Sequence, residues 1–182
     1  MIKAIYAVPR LAIAHPLHSD MSAKGNGRNI LISINTFTDG VLITEPSHVE
    51  RLKFLGYLDH LSLTFADITA ERLISYRMKY GMENEGIRLF SYDDARAIQA
   101  FIDKWKYEEI DRLVVHCDQG QSRSGAVALW AQRYCAQQGL SGFTEKQFWP
   151  ANREICPNKY VGQVLCEVDC APKIEIILKE IR

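Results

Sequence analysis

The segment from residue 113 to residue 131 most constrains how this chain can fold. Leu113, Val114 and Val115 form a short apolar run rich in β-branched side chains, which predicts a buried strand. Residues 126–131 begin a mostly apolar stretch that is long enough to be a helix. Gly120 lies between the two, and glycine allows the positive φ that a tight loop requires. The sequence therefore predicts a strand, a loop and a helix in direct succession.

A loop in this position is suited to binding an anion. The first N–H groups of a helix have no intrahelical partner, and the helix dipole favours negative charge at the same end. A glycine with positive φ lets successive backbone amides turn toward one point. Arg123 adds a planar fork of donors that can hold two phosphate oxygens at once. The predicted phosphate-binding residues are those of the loop: Asp118, Gln119, Gly120, Gln121, Ser122 and Arg123.

Cys117 is the predicted nucleophile of this loop. Helix N-termini and nearby cations favour the thiolate form of a cysteine, and a thiolate below a bound phosphoryl group is placed for in-line attack. The attack would give a cysteinyl-phosphate that water later hydrolyses. Ser124 is predicted to offer its hydroxyl to the departing sulfur, and His116 to brace the loop. The simpler alternative is a buried cysteine beside a surface arginine, with a glycine that serves only as a turn.

The residues of this loop resemble a known catalytic motif. His116, Cys117, Gly120, Arg123 and Ser124 match the pattern His-Cys-x-x-Gly-x-x-Arg-Ser/Thr of the cysteine-dependent protein tyrosine and dual-specificity phosphatases. The chain is most similar to the compact dual-specificity branch, including its bacterial members.

The similarity extends beyond the loop. Residues 156–165 resemble the Pro-Asn-x-x-Phe-x-x-Gln-Leu helix of dual-specificity phosphatases, and residues 90–102 resemble the helix before their catalytic strand. The resemblance implies a protein tyrosine phosphatase-like fold and phosphomonoester hydrolysis without a metal or other cofactor.

The resemblance also implies a general acid, an aspartate on a separate loop that protonates the leaving oxygen. Residues 61–68 alternate apolar and polar side chains as a half-buried strand does, and Asp67 lies at the end of that segment. The alternative is that Asp67 caps a helix that begins near residue 69 or 70. Asp59 is the next candidate, but it precedes this alternating segment and would lie at the wrong end of the strand. The interval after Asp67 is longer than in the compact phosphatases, so residues 70–90 are expected to form a lid or rim.

The elements predicted elsewhere in the chain alternate between strands and helices. Strands are predicted at residues 2–8, 30–34, 58–65 and 113–115, and helices from near residue 46 and at 70–80, 91–106, 126–138, 144–149, 158–168 and, after Pro172, at 173–181. This alternation predicts an α/β fold with a central, mainly parallel sheet flanked by helices on both faces. Ligands of such sheets bind beyond the carboxyl ends of the strands, which is where the loop lies. Residues 1–182 are predicted to form a single domain.

Composition narrows the function and the location. The chain is 47% hydrophobic and 24% charged, which is typical of a globular protein, and its formal net charge of zero argues against nucleic-acid binding. No apolar run approaches the roughly twenty residues that cross a membrane, and the N-terminus lacks the pattern of a secretion signal. A cysteine that must stay reduced predicts a cytoplasmic location. The cysteines near the C-terminus lack a paired C-x-x-C spacing, so no metal site is predicted.

The variable loop residues indicate the class of substrate. Asp118 is acidic, and Gln119, Gln121 and Ser122 are uncharged, so nothing there compensates a polyanionic ligand. This favours a phosphorylated protein or a small phosphate ester over a phosphoinositide, a nucleotide or an RNA end. Two alternatives remain: the same chemistry on a non-protein phosphate ester such as a phosphoinositide, a nucleotide or an RNA end, and a phosphate-binding module without catalysis.

Overall fold

Four parallel strands form the centre of the protein in the computed structural model, which describes residues 1–14, 27–35, 56–80 and 88–180. The strands are β1 (Ile5–Pro9), β2 (Asn29–Asn35), β3 (Tyr57–Thr64) and β4 (Arg112–Cys117). Their order in the sheet is β1-β4-β2-β3, and every pairing is parallel. All four strands therefore end at the same edge of the sheet.

The register brings the ends of neighbouring strands together. Pro9 at the end of β1 lies opposite Cys117 at the end of β4, and Ser33 of β2 lies opposite His116. Asn35 at the end of β2 lies opposite Thr64 at the end of β3. The residues that follow these strands are consequently close to the loop that follows Cys117.

Helices cover both faces of the sheet. The described helices are α1 (Arg10–Ala14), α2 (Ala70–Tyr80), α3 (Tyr92–Lys104), α4 (Arg123–Gln137), α5 (Glu145–Ala151) and α6 (Lys159–Glu180). The larger apolar core includes buried side chains of α3, α4 and α6, and the smaller cluster on the other side joins Val8, Leu31 and Val114 to α1. The predicted α/β architecture, with a parallel sheet and helices on both faces, is confirmed.

Most of the predicted elements are present with boundaries close to those expected. β2, β3 and α2 match the predicted segments, and α4 begins at Arg123, directly after the loop. β1 begins at Ile5, while Ile2 makes isolated bridges to Ile110 and Ser141. The helix predicted from near residue 46 and residues 81–87 of the predicted rim lie outside the described residues. Among the described helices, none combines the length and the apolarity needed to cross a membrane.

The C-terminal helices differ from the prediction. Two helices were expected, with Pro172 separating them, but α6 runs continuously from Lys159 to Glu180. Proline removes one backbone donor and crowds the preceding turn, yet a helix can continue on both sides of it. Pro172 therefore interrupts at most one turn of hydrogen bonds and does not end α6.

Candidate active site

Cys117 lies at the end of the second strand from the β1 edge of the sheet, directly below the N-terminus of α4. Its side chain is only 2% exposed, and its Sγ lies 3.1 Å from the Oγ of Ser124. Ser124 is itself fully buried in the first turn of α4. A hydroxyl at this distance can donate a hydrogen bond to a thiolate sulfur. The structure thus brings together the two residues that the sequence predicted to share the sulfur chemistry.

Gly120 shapes the loop above Cys117. Its φ is +73°, and a Cβ atom at this position would lie 2.3 Å from the backbone nitrogen of Pro9 and 2.4 Å from the carbonyl carbon of Val8. The loop therefore presses directly against the end of β1, and only glycine satisfies both the conformation and the contact.

The backbone amides of the loop remain available for a ligand. Among the described residues, none accepts a hydrogen bond from the backbone N–H groups of residues 119–122. Ser122 occupies the N-cap position of α4, but its side chain makes no capping hydrogen bond. The unpaired amides and the helix dipole at this end together favour a bound anion.

Arg123 is held at the edge of the loop by the backbone of other strands. Its side chain is 3% exposed, and Nη1 donates to the carbonyl oxygens of Phe65 at 2.9 Å and Asn35 at 3.4 Å. Nη2 donates to Oδ2 of Asp118 at 2.7 Å. Nε is buried and has no hydrogen-bond partner among the described residues. The guanidinium is thus fixed in place while part of its fork of donors stays unused.

Asp67 approaches the same loop from the end of β3. Its Oδ1 accepts hydrogen bonds from Oγ of Ser122 at 2.7 Å and from Nδ2 of Asn158 at 2.8 Å. Its Oδ2 lies 4.0 Å from Nε of Arg123, and its side chain is 37% exposed. The carboxyl group therefore lies beside the anion site and is open to solvent on one side.

Neither alternative raised for the acid fits the structure: Asp67 does not cap α2, and Asp59 does not lie near the loop. Thr69 rather than Asp67 accepts the capping hydrogen bond at the start of α2, from the backbone nitrogen of Arg72 at 3.4 Å. Asp59 lies near the beginning of β3, where its Oδ2 is 2.6 Å from Nζ of Lys104. Of these two aspartates, only Asp67 lies close to Arg123.

Asn158 belongs to the site, although the sequence indicated it only as part of the helix that resembles the phosphatase motif. Its Oδ1 accepts from the backbone nitrogen of Val161 at 3.1 Å, so its Nδ2 must face Asp67. The backbone nitrogens of Asn158 and Cys156 donate to the carbonyl oxygens of Ser122 and Gln121 at 3.1 and 3.2 Å. The segment before α6 therefore holds the second half of the loop through two backbone hydrogen bonds. The sequence signal for a helix cap was the asparagine directly before the predicted helix.

His116 is fully buried below the loop. Burial and the nearby cations Arg10 and Arg123 lower its pKa to about 3, so the imidazole is neutral near pH 7. Neither ring nitrogen has a hydrogen-bond partner among the described residues. Bracing the loop stays the predicted role of His116.

Asp118 makes contacts that the sequence did not predict. Its Oδ1 lies 2.5 Å from Nη2 of Arg10, and its Oδ2 accepts from Nη2 of Arg123. Arg10 is the first residue of α1 and directly follows β1, so this junction also contributes a charged side chain to the site. Only the backbone of Asp118 was expected to take part in phosphate binding.

A cavity of about 300 Å³ adjoins the loop. It lies between the end of β1 and the connection from α5 to α6, and its walls include Pro9, Gln119, Gln121, Arg153 and Ile155. Cys117, Arg123 and Asp67 are not among its lining residues, so the cavity lies beside the loop and not above the Cys117 sulfur.

The described residues contain no group of three or more His, Cys, Asp or Glu side chains arranged to hold a metal ion. The candidate site brings together a buried cysteine, a buried hydroxyl, unpaired loop amides, a fixed arginine and a partly exposed aspartate. Comparisons of the chain with protein-family profiles, with curated proteins and with solved structures found no match.

Proposed function

We propose that this protein is a phosphomonoester hydrolase of the protein tyrosine or dual-specificity phosphatase type, with Cys117 as nucleophile. The observation that carries the proposal is the placement of the Cys117 sulfur, 3.1 Å from the Ser124 hydroxyl, at the N-terminus of α4 beside the fixed Arg123. A site that only bound phosphate would need the amides and the arginine, but not a buried thiol paired with a hydroxyl. The arrangement therefore supports catalysis over simple recognition.

The first chemical step uses Cys117, Arg123 and Asp67. The loop amides and the free donors of Arg123 bind the oxygens of the phosphoryl group. The thiolate attacks phosphorus, a sulfur–phosphorus bond forms, and the bond to the leaving oxygen breaks. Asp67, which lies beside Arg123, gives its proton to that oxygen.

The second step returns the enzyme to its starting state. Water attacks the cysteinyl-phosphate, and the sulfur leaves as a thiolate. The Ser124 hydroxyl stabilises that thiolate by donating a hydrogen bond to it. Asp67, now a carboxylate, accepts a proton from the attacking water, and inorganic phosphate is released.

The charge of the loop supports a singly phosphorylated substrate. The loop side chains at residues 118–122 include one acidic group and no basic one. A phosphorylated protein is the proposed substrate. The proposed location is the cytoplasm, because Cys117 must stay reduced to act as nucleophile.

Hydrolysis of p-nitrophenyl phosphate and of a phosphotyrosine peptide, with a chelator present, tests this proposal. Cys117→Ser is expected to lower kcat by at least about 10³-fold on both substrates, because the nucleophile is lost. Cys156→Ser is the matched control, since that cysteine is exposed and its hydrogen bond to the loop is made by its backbone nitrogen. A folded wild-type protein with no turnover on either substrate between pH 5 and 8 would overturn the proposal.

Asp67→Asn tests the acid in the same assay. The loss in kcat is expected to reach about 10²-fold on the phosphotyrosine peptide, whose leaving group needs a proton. The loss on p-nitrophenyl phosphate is expected to be much smaller, because p-nitrophenolate leaves without one. Equal losses on both substrates would remove Asp67 from the mechanism.

A further inference from the structure

An acidic side chain lies inside the proposed phosphate site, between two arginines. Oδ1 of Asp118 is 2.5 Å from Nη2 of Arg10, and Oδ2 is 2.7 Å from Nη2 of Arg123. The backbone nitrogen of Arg10 also donates to the carbonyl oxygen of Asp118, at 3.3 Å. Arg10 is therefore tied to the loop by its side chain and by its backbone.

The charges of these residues decide what the loop can bind. Arg123 and Asp118 form a close pair with no net charge, and such a pair attracts a phosphoryl dianion much less than a lone arginine does. Arg10 restores one positive charge to the group of three. Its side chain and that of Asp118 are each about one third exposed, so solvent weakens but does not remove this effect.

The hydrogen bonds of Arg123 allow it to hold Asp118 and a substrate together. An arginine has five N–H donors, of which Nη1 here uses its donors on two carbonyl oxygens and Nη2 uses one on Asp118. The N–H of Nε has no partner among the described residues. Asp118 therefore need not leave when phosphate binds, and its charge stays in the site.

Resting on the proposed function, we propose that Arg10 is a specificity-determining residue of this site, which neutralises Asp118 so that the loop accepts the dianion of a phosphate monoester. Without Arg10, Arg123 would be neutralised by Asp118, and the site would favour the monoanion. Of the described residues, Asp67 also carries charge near Arg123, and it is the same in every variant of the test, as is Cys117.

A charge-swap cycle tests this proposal through the binding of inorganic phosphate, measured by titration calorimetry at pH 7.5 and low ionic strength. Arg10→Gln is expected to weaken binding about tenfold, because the site loses one unit of positive charge. Asp118→Asn is expected to bind phosphate at least as tightly as the wild type. The double variant has the net charge of the wild type and is expected to return within about threefold of its affinity.

Two further variants separate charge from contact. Arg10→Lys keeps the charge and is expected to bind phosphate within about threefold of the wild type, because the proposal depends on charge. Arg28→Gln removes an exposed arginine, paired with Glu108, that precedes β2 at the other end of the sheet, and it should leave binding unchanged. Wild-type affinity in Arg10→Gln, or a double variant as weak as Arg10→Gln, would overturn the proposal.

The pH dependence of KM for p-nitrophenyl phosphate gives a second readout. Phosphate monoesters change from monoanion to dianion near pH 6. The ratio of KM at pH 7.5 to KM at pH 5.5 is expected to be higher in Arg10→Gln than in the wild type. In the double variant the ratio is expected to return to the wild-type value. A general loss of structure would instead raise KM at both pH values and leave the ratio unchanged. A constant ratio would count against the role of Arg10.

The two proposals can fail separately. If the wild type binds phosphate and the charge-swap cycle behaves as expected, but no substrate is hydrolysed, the catalytic function fails and the role of Arg10 in dianion binding stands. If the wild type hydrolyses substrates but Asp118→Asn does not rescue Arg10→Gln, the role of Arg10 fails and the catalytic function stands.

Discussion

Gly120 is constrained both by its positive φ and by a close contact with β1, whereas Gly139 has a positive φ without such a contact. Its φ of +73° and its contact with the backbone of Pro9 both exclude a side chain. Gly139, after α4, has a similar φ of +68° but no atom within 4 Å of a built Cβ. The pair therefore distinguishes backbone strain from steric contact.

Gly120→Ala is expected to lower the free energy of unfolding by about 3 kcal/mol or more. The left-handed φ costs about 1–2 kcal/mol, and the new methyl group must also displace the end of β1. Gly139→Ala should cost only the strain, about 1–2 kcal/mol. Urea unfolding of both variants measures the difference. Equal losses would show that the contact with Pro9 relaxes at no cost.

The sequence identified the residues of the site that are neighbours along the chain. Cys117, Gly120 and Ser124 lie within one loop and one helical turn, so local geometry decides how they meet. Asn158 and Arg10 were missed, because Asn158 is 91 positions from Asp67 and Arg10 is 108 positions from Asp118. Such contacts depend on how whole elements pack, which a local pattern does not contain.

At the scale of elements, the start of α6 connects helix capping to the proposed acid. Asn158 caps α6 through its bond from Val161, and it also donates to Asp67. Asn158→Ala is expected to lower the free energy of unfolding by about 1 kcal/mol, as loss of a cap does. It should also slow hydrolysis of a phosphotyrosine peptide by about tenfold, since Asp67 loses one of its two hydrogen bonds.

Ser91→Ala is the matched control for this variant. Ser91 caps α3 in a capping box with Asp94, so its loss is expected to cost a similar 1 kcal/mol or so without touching the site. The measurement is the ratio of kcat on the peptide to kcat on p-nitrophenyl phosphate. If both variants leave this ratio unchanged, Asn158 acts only as a cap.

The types of the elements were predicted better than their ends. α2 and α3 carry clear patterns, an amphipathic stretch and a capping box, and both begin where those patterns indicate. Pro172 was wrongly taken as a boundary, because a proline weakens a helix locally but does not decide whether the residues beyond it continue. Local signals mark possible helix ends, and the flanking turns determine whether the helix stops.

At the scale of the whole molecule, the order of the strands builds the site. The alternation of strands and helices predicted a parallel sheet, but not the order β1-β4-β2-β3, since strand pairing is not encoded in a local pattern. β4 lies between β1 and β2, so its loop meets Arg10 on one side and the carbonyl oxygen of Asn35 on the other. The sequence could therefore predict the edge of the sheet that carries the site, but not all the residues gathered there.

The buried His116 links this architecture to the stability of the whole chain. Burial and the nearby arginines lower its pKa to about 3 in the folded protein, against about 6.5 in an unfolded chain. Between these values the unfolded state binds one more proton than the folded state, so stability falls as the pH falls from about 6.5 toward 3. The expected contribution is a loss of about 1.4 kcal/mol per pH unit across this window.

Urea unfolding of the wild type and of His116→Gln at pH 7, 6 and 5 tests this linkage. The wild type is expected to lose about 2 kcal/mol more than the variant between pH 7 and pH 5, because glutamine does not titrate. A packing defect in the variant lowers the free energy of unfolding equally at the three pH values, so it cancels when the slopes are compared. The carboxylates titrate in both proteins and contribute equally to both slopes. Parallel slopes in the two proteins would show that folding does not lower the pKa of His116.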